Sequence, residues 1–178
     1  LLKGCKMENN IIRVGVFGGR RGCAYIKCLK YVDNFRVTAI RDKEEKRRND
    51  AVAACEYQND VTPVVFDDYE DFITSGLFDA LILCNYFNEH AAVAIRALGM
   101  GIHVFSETIA AATMAECVAL CRAAEKSNAI YQLAENYPFT RGALEMKRLY
   151  EGGTLGKAIF AEGEYVHPMS PSETRQYT

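Results

Sequence analysis

Short apolar runs alternate with longer amphipathic stretches along this chain. The first run, Ile11 to Phe17, is β-branched and aromatic and ends abruptly at Gly18-Gly19. After Arg20 and Arg21, Gly22 opens a helix-like pattern carrying Ala24, Ile26 and Leu29. The pattern predicts a strand, a tight glycine turn and a helix. Phe35 to Ile40 reads as a second strand, and residues 41–57 as a helix with Ala51, Val52 and Cys55 turned inward.

The alternation continues. Thr62 to Phe66 predicts a third strand, and Asp67-Asp68 a cap for a helix burying Tyr69, Phe72 and Ile73. Asp79 to Cys84 is almost continuously apolar, as expected of a strand covered on both faces. Asn88 is the expected N-cap of a helix whose stripe is Ala91, Ile95 and Leu98 and which stops at Gly99. Ile102 to Phe105 and Ile130 to Ala134 complete six strands. Between them Thr113 to Glu116 forms a capping box for a helix expected to bury Met114, Val118 and Cys121. This order predicts an α/β, Rossmann-type doubly wound parallel sheet over residues 11–136. Thr140 to Glu151 then reads as a helix and Lys157 to His167 as a strand. The length leaves residues 137–178 for part of another domain, and residues 1–10 are expected to be a disordered leader with Met7 as the natural start.

Composition narrows the partners. The chain has 178 residues, is 49% hydrophobic and carries a formal charge of −2. That balance gives no reason to expect nucleic acid or a membrane surface. No run approaches the ~18 apolar residues of a membrane span, and no secretory signal is visible. Seven cysteines without a C-x-x-C pair read as reduced, mostly buried side chains in a cytoplasmic protein, with no metal site expected.

The chemistry is expected where the strands end. Glycines at 18, 19 and 22 allow backbone to approach a diphosphate, whose charge would meet N–H groups and a helix dipole. The spacing is one residue shorter than G-x-G-x-x-G, so the turn is weak evidence by itself. Asp42 strengthens it: it stands just past the second strand, twenty positions after Gly22, where a carboxylate accepts from the adenosine ribose hydroxyls. It reads also as the N-cap of the next helix. Arg41, Lys43 and Arg47 would suit the 2′-phosphate of NADP, but Asp42 would repel it, so NAD is favoured and NADP stays open.

In the residues after each strand the chain resembles the N-terminal part of the Gfo/Idh/MocA oxidoreductases, the family of glucose-fructose oxidoreductase and inositol dehydrogenase. The resemblance rests on VGVFGGRRG, on Asp42, and on DALILCNYFNEHAAVAIRALGMGIHVFSE, where Ala97-Leu98, Gly101, His103-Val104 and Glu107 stand in the family's register and His90 holds its first histidine. It implies hydride transfer between a nicotinamide cofactor and a sugar, inositol or related polyol. It also implies a cofactor site drawn from Gly18, Gly19, Arg20, Arg21, Gly22, Asp42, Asn85, Tyr86, His90, Glu107 and Asn136. His90, Glu107 and Thr108 are the catalytic candidates; His90 reads equally as structural, and His103 as structural only.

Two departures bear on mechanism. Asn85-Tyr86 replaces the family's Thr-Pro, leaving polar and aromatic groups to line the nicotinamide ribose. Glu107-Thr108-Ile109 replaces Glu-Lys-Pro, and a hydroxyl cannot carry the positive charge of that lysine. A non-catalytic dinucleotide-binding or sensing protein is therefore the alternative. In the family the strand predicted at 157–167 begins the large sheet of an α+β second domain, here residues 137–178, whose outer face often makes a homo-oligomer contact, and the reading implies a truncated member with doubtful turnover of its own.

Overall fold

The computed structural model describes residues 11–166 and 168. The expected leader and the end of the 157–167 strand, at His167, lie outside the described residues. The chain divides into two compact units, one ending at Glu135 and the other beginning at Asn136.

The first unit is built on six strands, β1 (Ile12–Phe17), β2 (Phe35–Arg41), β3 (Val64–Phe66), β4 (Ala80–Leu83), β5 (His103–Ser106) and β6 (Tyr131–Leu133). They form one sheet in the order β3-β2-β1-β4-β5-β6, and every pairing is parallel. The helices are α1 (Gly19–Leu29), α2 (Glu45–Ala53), α3 (Tyr69–Thr74), α4 (His90–Gly99) and α5 (Met114–Lys126). One core unites Val14, Val16, Ile26, Val37, Ile40, Ala51, Cys55 and Ile82, sealing α1 and α2 to the sheet. The other unites Phe72, Ile73, Leu81, Leu83, Ala94, Leu98 and Leu120 under α3, α4 and α5. This is the expected doubly wound sheet with helices on both faces. The order in which strands are added reverses between β1 and β4, the place where such folds leave a crevice.

Several local expectations are corrected. α1 begins at Gly19 rather than Gly22 because Gly18, with φ 104, completes the turn alone. Asn88 is not a cap: it lies inside a 3-10 turn, Phe87–Glu89, and Glu89 precedes α4. The capping box of α5 is present, Thr113 Oγ1 accepting from Glu116 N at 3.2 Å. The buried face of α5 differs from the expected one, for Met114, Val118 and Cys121 are exposed while Leu120 is buried and Ala123 and Ala124 pack beside it. Small alanines let α5 lie close to α4, and that closeness selects the face. Cys28 is exposed rather than buried.

The second unit holds a 3-10 turn, Tyr137–Phe139, and helix α6 (Arg141–Glu151). The strand expected from Lys157 does not form over residues 157–166, which are exposed and carry no strand. Strand backbone needs a partner for its N–H and C=O groups. Alternation in the sequence supplies a face but not that partner.

Candidate functional site

The parallel ladders align the carboxyl ends of the strands. Phe17 pairs with Arg41 and with Leu83, Arg41 with Phe66, Leu83 with Ser106 and Ser106 with Leu133. The next residues along the chain, Gly18, Asp42, Cys84 and Glu107, consequently share one rim. These are the positions from which the sequence drew its candidates.

Glycine is required at the head of this rim by close backbone approach. At Gly18 φ is positive, and a Cβ would stand 2.4 Å from the Cys84 carbonyl oxygen. At Gly19 it would stand 2.5 Å from the Arg47 carbonyl oxygen, and at Gly22 2.5 Å from Val16 Cγ1. The turn thus brings α1 against the end of β4, the first turns of α2 and the strand beneath. Gly18 O also accepts from the Cys84 thiol at 3.3 Å. Burial raises the pKa of that thiol, and the negative charge of Glu107 adds to the effect. Cys84 is therefore a neutral packing group.

Asp42 lies beside this turn. Its Oδ2 accepts the Gly19 N–H at 2.8 Å and its Oδ1 the Glu44 N–H at 3.0 Å. The residue is only 6% exposed. It is not the N-cap of α2, where Glu44 stands; it ties the loop after β2 to the start of α1. Of the amides that the sequence left for a diphosphate, that of Gly19 is already donated to this carboxylate. Arg48 donates to the Asp42 carbonyl at 2.7 Å, and Arg47 pairs with Glu44 at 2.9 Å. Arg20 is exposed on the first turn of α1.

A second cluster crosses from α1 to the end of β5. Arg21 Nε donates to Glu107 Oε1, and the Thr108 N–H to Glu107 Oε2 at 3.1 Å. The Arg21 guanidinium also lies 5.5 Å from the centroid of Tyr25, whose ring meets Phe105 edge-on at 5.7 Å. Burial opposes the charge on Arg21, but the hydrogen bond and charge of Glu107 outweigh it and raise its pKa. Burial, with the charge of Glu107, pushes the Tyr25 phenol up to about 12. Tyr25 escaped the sequence reading. Its spacing of four from Arg21 was a visible signal of a shared helix face, whereas the arrival of Glu107 from far along the chain was not.

Thr108 is exposed, and its side chain adds no charge to the rim. His90, 1% exposed, is held at Nδ1 by the Ile109 carbonyl oxygen at 3.0 Å. That contact fixes the loop 107–109 to the start of α4 and makes Nδ1 the protonated nitrogen. His90 Nε2 is buried without a partner among the described residues. His103 is structural, accepting at Nδ1 from Ile130 N at 3.0 Å.

Beyond β4, Asn85 Nδ2 donates to Glu89 Oε2 at 2.7 Å and Glu89 N to the Tyr86 carbonyl oxygen at 3.0 Å. These bonds set the short turn that carries Tyr86. Asn85 Oδ1 is buried and has no hydrogen-bond partner among the described residues. The ring of Tyr86, half exposed, lies under Lys43 Nζ at 4.7 Å. Asn136 is exposed and belongs to the second unit, just before its 3-10 turn. No group of three or more metal-ligating side chains occurs among the described residues. Nor is any helix among them long and apolar enough to cross a membrane.

A family model described as an oxidoreductase family with an NAD-binding Rossmann fold matches residues 12–135. A glycosyl hydrolase family 109 protein from Shewanella sp. (strain W3-18-1) is 28% identical over 165 residues, which cover 90% of this chain and 36% of the relative. The chain thus spans about a third of the length of such relatives. Among solved structures, myo-inositol dehydrogenase from Lactobacillus casei, in complex with NAD(H) and myo-inositol, superposes with a TM-score of 0.72 at 22% identity, over 82% of this chain and 43% of that one. The WlbA dehydrogenase from Bordetella pertussis, in complex with NADH and UDP-GlcNAcA, gives 0.71 at 20% identity, over 85% and 42%. At these identities the likeness is one of fold.

Proposed function

The chain belongs to the Gfo/Idh/MocA family, oxidoreductases with an NAD-binding Rossmann fold, and from that premise we propose that its rim holds a nicotinamide dinucleotide, NAD in preference to NADP. In the longer protein implied by its relatives, the site moves hydride between that cofactor and a sugar, inositol or related polyol. A cytoplasmic setting and a homo-oligomer formed through a second-domain sheet belong to the same reading.

The observation that carries the proposal is the 2.8 Å bond between Gly19 N and Asp42. It sets the glycine turn beside Asp42 at the switch point of the sheet, which supports a reading of the two as the phosphate and ribose halves of a dinucleotide site. The N–H groups of Gly18, Gly19 and Gly22 are bonded within the fold, so in this reading these glycines give the diphosphate close approach while Arg20 and Arg21 supply positive charge. Asp42 keeps lone pairs beyond the two amides it accepts, and its negative charge disfavours a 2′-phosphate. Asn85, Tyr86 and Glu107 are the remaining cofactor contacts of the first unit in this reading.

Hydride transfer is chemistry that the bound cofactor supplies. What this chain contributes is placement, and its proton-handling groups are few. Thr108 is a poor acid or base near neutral pH. Glu107 is occupied by Arg21 and by the Thr108 N–H. His90 acts as a positioning residue, holding the loop that bears Thr108. These observations favour a second reading, a cofactor-binding or sensing protein without turnover.

Fluorescence titration with NADH and with NADPH, alongside Asp42→Asn, tests the proposal. The expected result is binding of NADH, weaker binding of NADPH, and a narrower gap in the variant. Absence of binding by either cofactor to the folded chain would overturn it. Loss of reduced-nicotinamide absorbance on adding oxidised sugars or inositols separates the enzyme from the sensor.

A further inference from the structure

The contact between Lys43 and Tyr86 spans the crevice in an informative direction. Lys43 follows β2 by two residues and Tyr86 follows β4 by three, and these are the two strands that flank β1. Their contact, 4.7 Å from ammonium nitrogen to ring centroid, therefore passes above the end of β1 and the glycine turn. Lys43 is also the residue directly after Asp42. A dinucleotide whose adenosine ribose is gripped at Asp42 carries its base next to that ribose, within reach of Lys43 and of the Tyr86 ring that Lys43 touches.

Tyr86 suits a flat aromatic base. Its ring is half exposed, and its backbone is fixed by the Asn85–Glu89 and Glu89–Tyr86 hydrogen bonds. One face of the ring is already used to hold a cation. An exposed contact of this type is weaker than the stacking of a base on an aromatic side chain. The base displaces the ammonium.

Resting on the dinucleotide reading above, we propose that Tyr86 is the stacking platform for the adenine ring, and that Lys43 covers the ring face until adenine takes its place. This moves Tyr86 from the nicotinamide ribose, where the sequence put it, to the opposite end of the ligand. It gives the site a recognition element for purine bases that lies in the replacement of Thr-Pro by Asn85-Tyr86.

The chain contains no tryptophan, so Tyr86→Trp introduces a single indole reporter at this position. The variant is titrated with AMP, with nicotinamide mononucleotide and with NAD, and calorimetry on the unsubstituted chain runs in parallel. AMP and NAD are expected to quench the indole emission, and nicotinamide mononucleotide to leave it unchanged. Tyr86→Ala is expected to weaken AMP binding about tenfold, with its circular dichroism unaltered because the side chain is half exposed. Lys43→Ala is expected to tighten AMP binding about threefold by freeing the ring face. Quenching by nicotinamide mononucleotide but not AMP overturns the proposal and leaves the dinucleotide reading intact. So does calorimetric binding of AMP without any change in emission. Weaker AMP binding in Lys43→Ala overturns the covering role of Lys43. If neither NAD nor AMP binds the unsubstituted chain by calorimetry, both this proposal and the reading beneath it fall.

Discussion

The two units of this chain use similar sequence patterns to different ends. In residues 11–135 each predicted strand finds a parallel neighbour, and the strands at the centre of the sheet supply two cores, while Val64 and Val65 of β3 stay exposed. In residues 136–166 the amphipathic helix forms, but Leu144, Met146 and Tyr150 stay exposed and the alternating stretch from Lys157 forms no strand. Ile159 is 93% exposed and Phe160 79%. A helix closes its own hydrogen bonds and needs only its sequence, whereas a strand is completed by another strand. The candidate site follows the same division, because a rim of strand ends exists only where strands have paired.

Matched substitutions in the two units sharpen this contrast. Phe72 is fully buried and stacks on Phe78 at 4.7 Å, so Phe72→Ala is expected to destabilise the fold by about 3–5 kcal/mol in denaturant titrations. Phe160→Ala should change stability by less than about 0.5 kcal/mol. Equal effects would mean that Phe160 is packed in solution and that the contrast fails.

The glycines provide a second pair. Gly18→Ala combines a positive φ with a Cβ placed 2.4 Å from a backbone carbonyl, and a loss of roughly 3 kcal/mol is expected, read as a lowered unfolding midpoint. Gly163→Ala meets nothing within 4 Å and has no positive φ. It should be neutral or slightly stabilising, through lower entropy of the unfolded chain. Smaller than the Gly18 effect is that of Thr113→Ala, which removes the α5 cap and should cost about 1 kcal/mol.

The smallest effect concerns pH. Asp79 accepts from Arg13 N and pairs with its guanidinium at 2.6 Å, joining the start of β1 to that of β4. The hydrogen bond from the Arg13 side chain, aided by its charge, lowers the pKa of Asp79. A carboxyl depressed in the folded state contributes fully above its unfolded value of about 3.9 and loses that contribution as pH falls through the folded value. Both side chains are 46% exposed, so solvent screening holds the effect below about 1 kcal/mol. Asp79→Asn should flatten the acid limb of the stability profile by that amount, while the helix of the second unit provides no counterpart between strands.

Much of the first unit was legible because its signals are local. Apolar runs gave six strands, Thr113 and Glu116 gave the cap of α5, and the glycines marked the tight turn after β1. What escaped depends on partners remote in sequence. Nothing near Asp42 shows that its carboxylate turns inward to Gly19, and nothing near Glu107 shows that Arg21 will claim it. The face of α5 was misjudged because close approach to α4 selects alanines, which hydrophobicity alone ranks below Met114 and Val118. The strand at 157–167 was overread for the converse reason, since its pattern is local and its partner is not.

Hydrogen–deuterium exchange with and without saturating NADH addresses the central claim most directly, since it reads both units in one experiment. The expected result is slowed exchange at the amides of residues 18–22, 42–44, 84–86 and 107–109, with residues 141–166 unchanged. No protection of the glycine turn and the Asp42 loop, or protection confined to the second unit, would contradict a cofactor site on the strand rim.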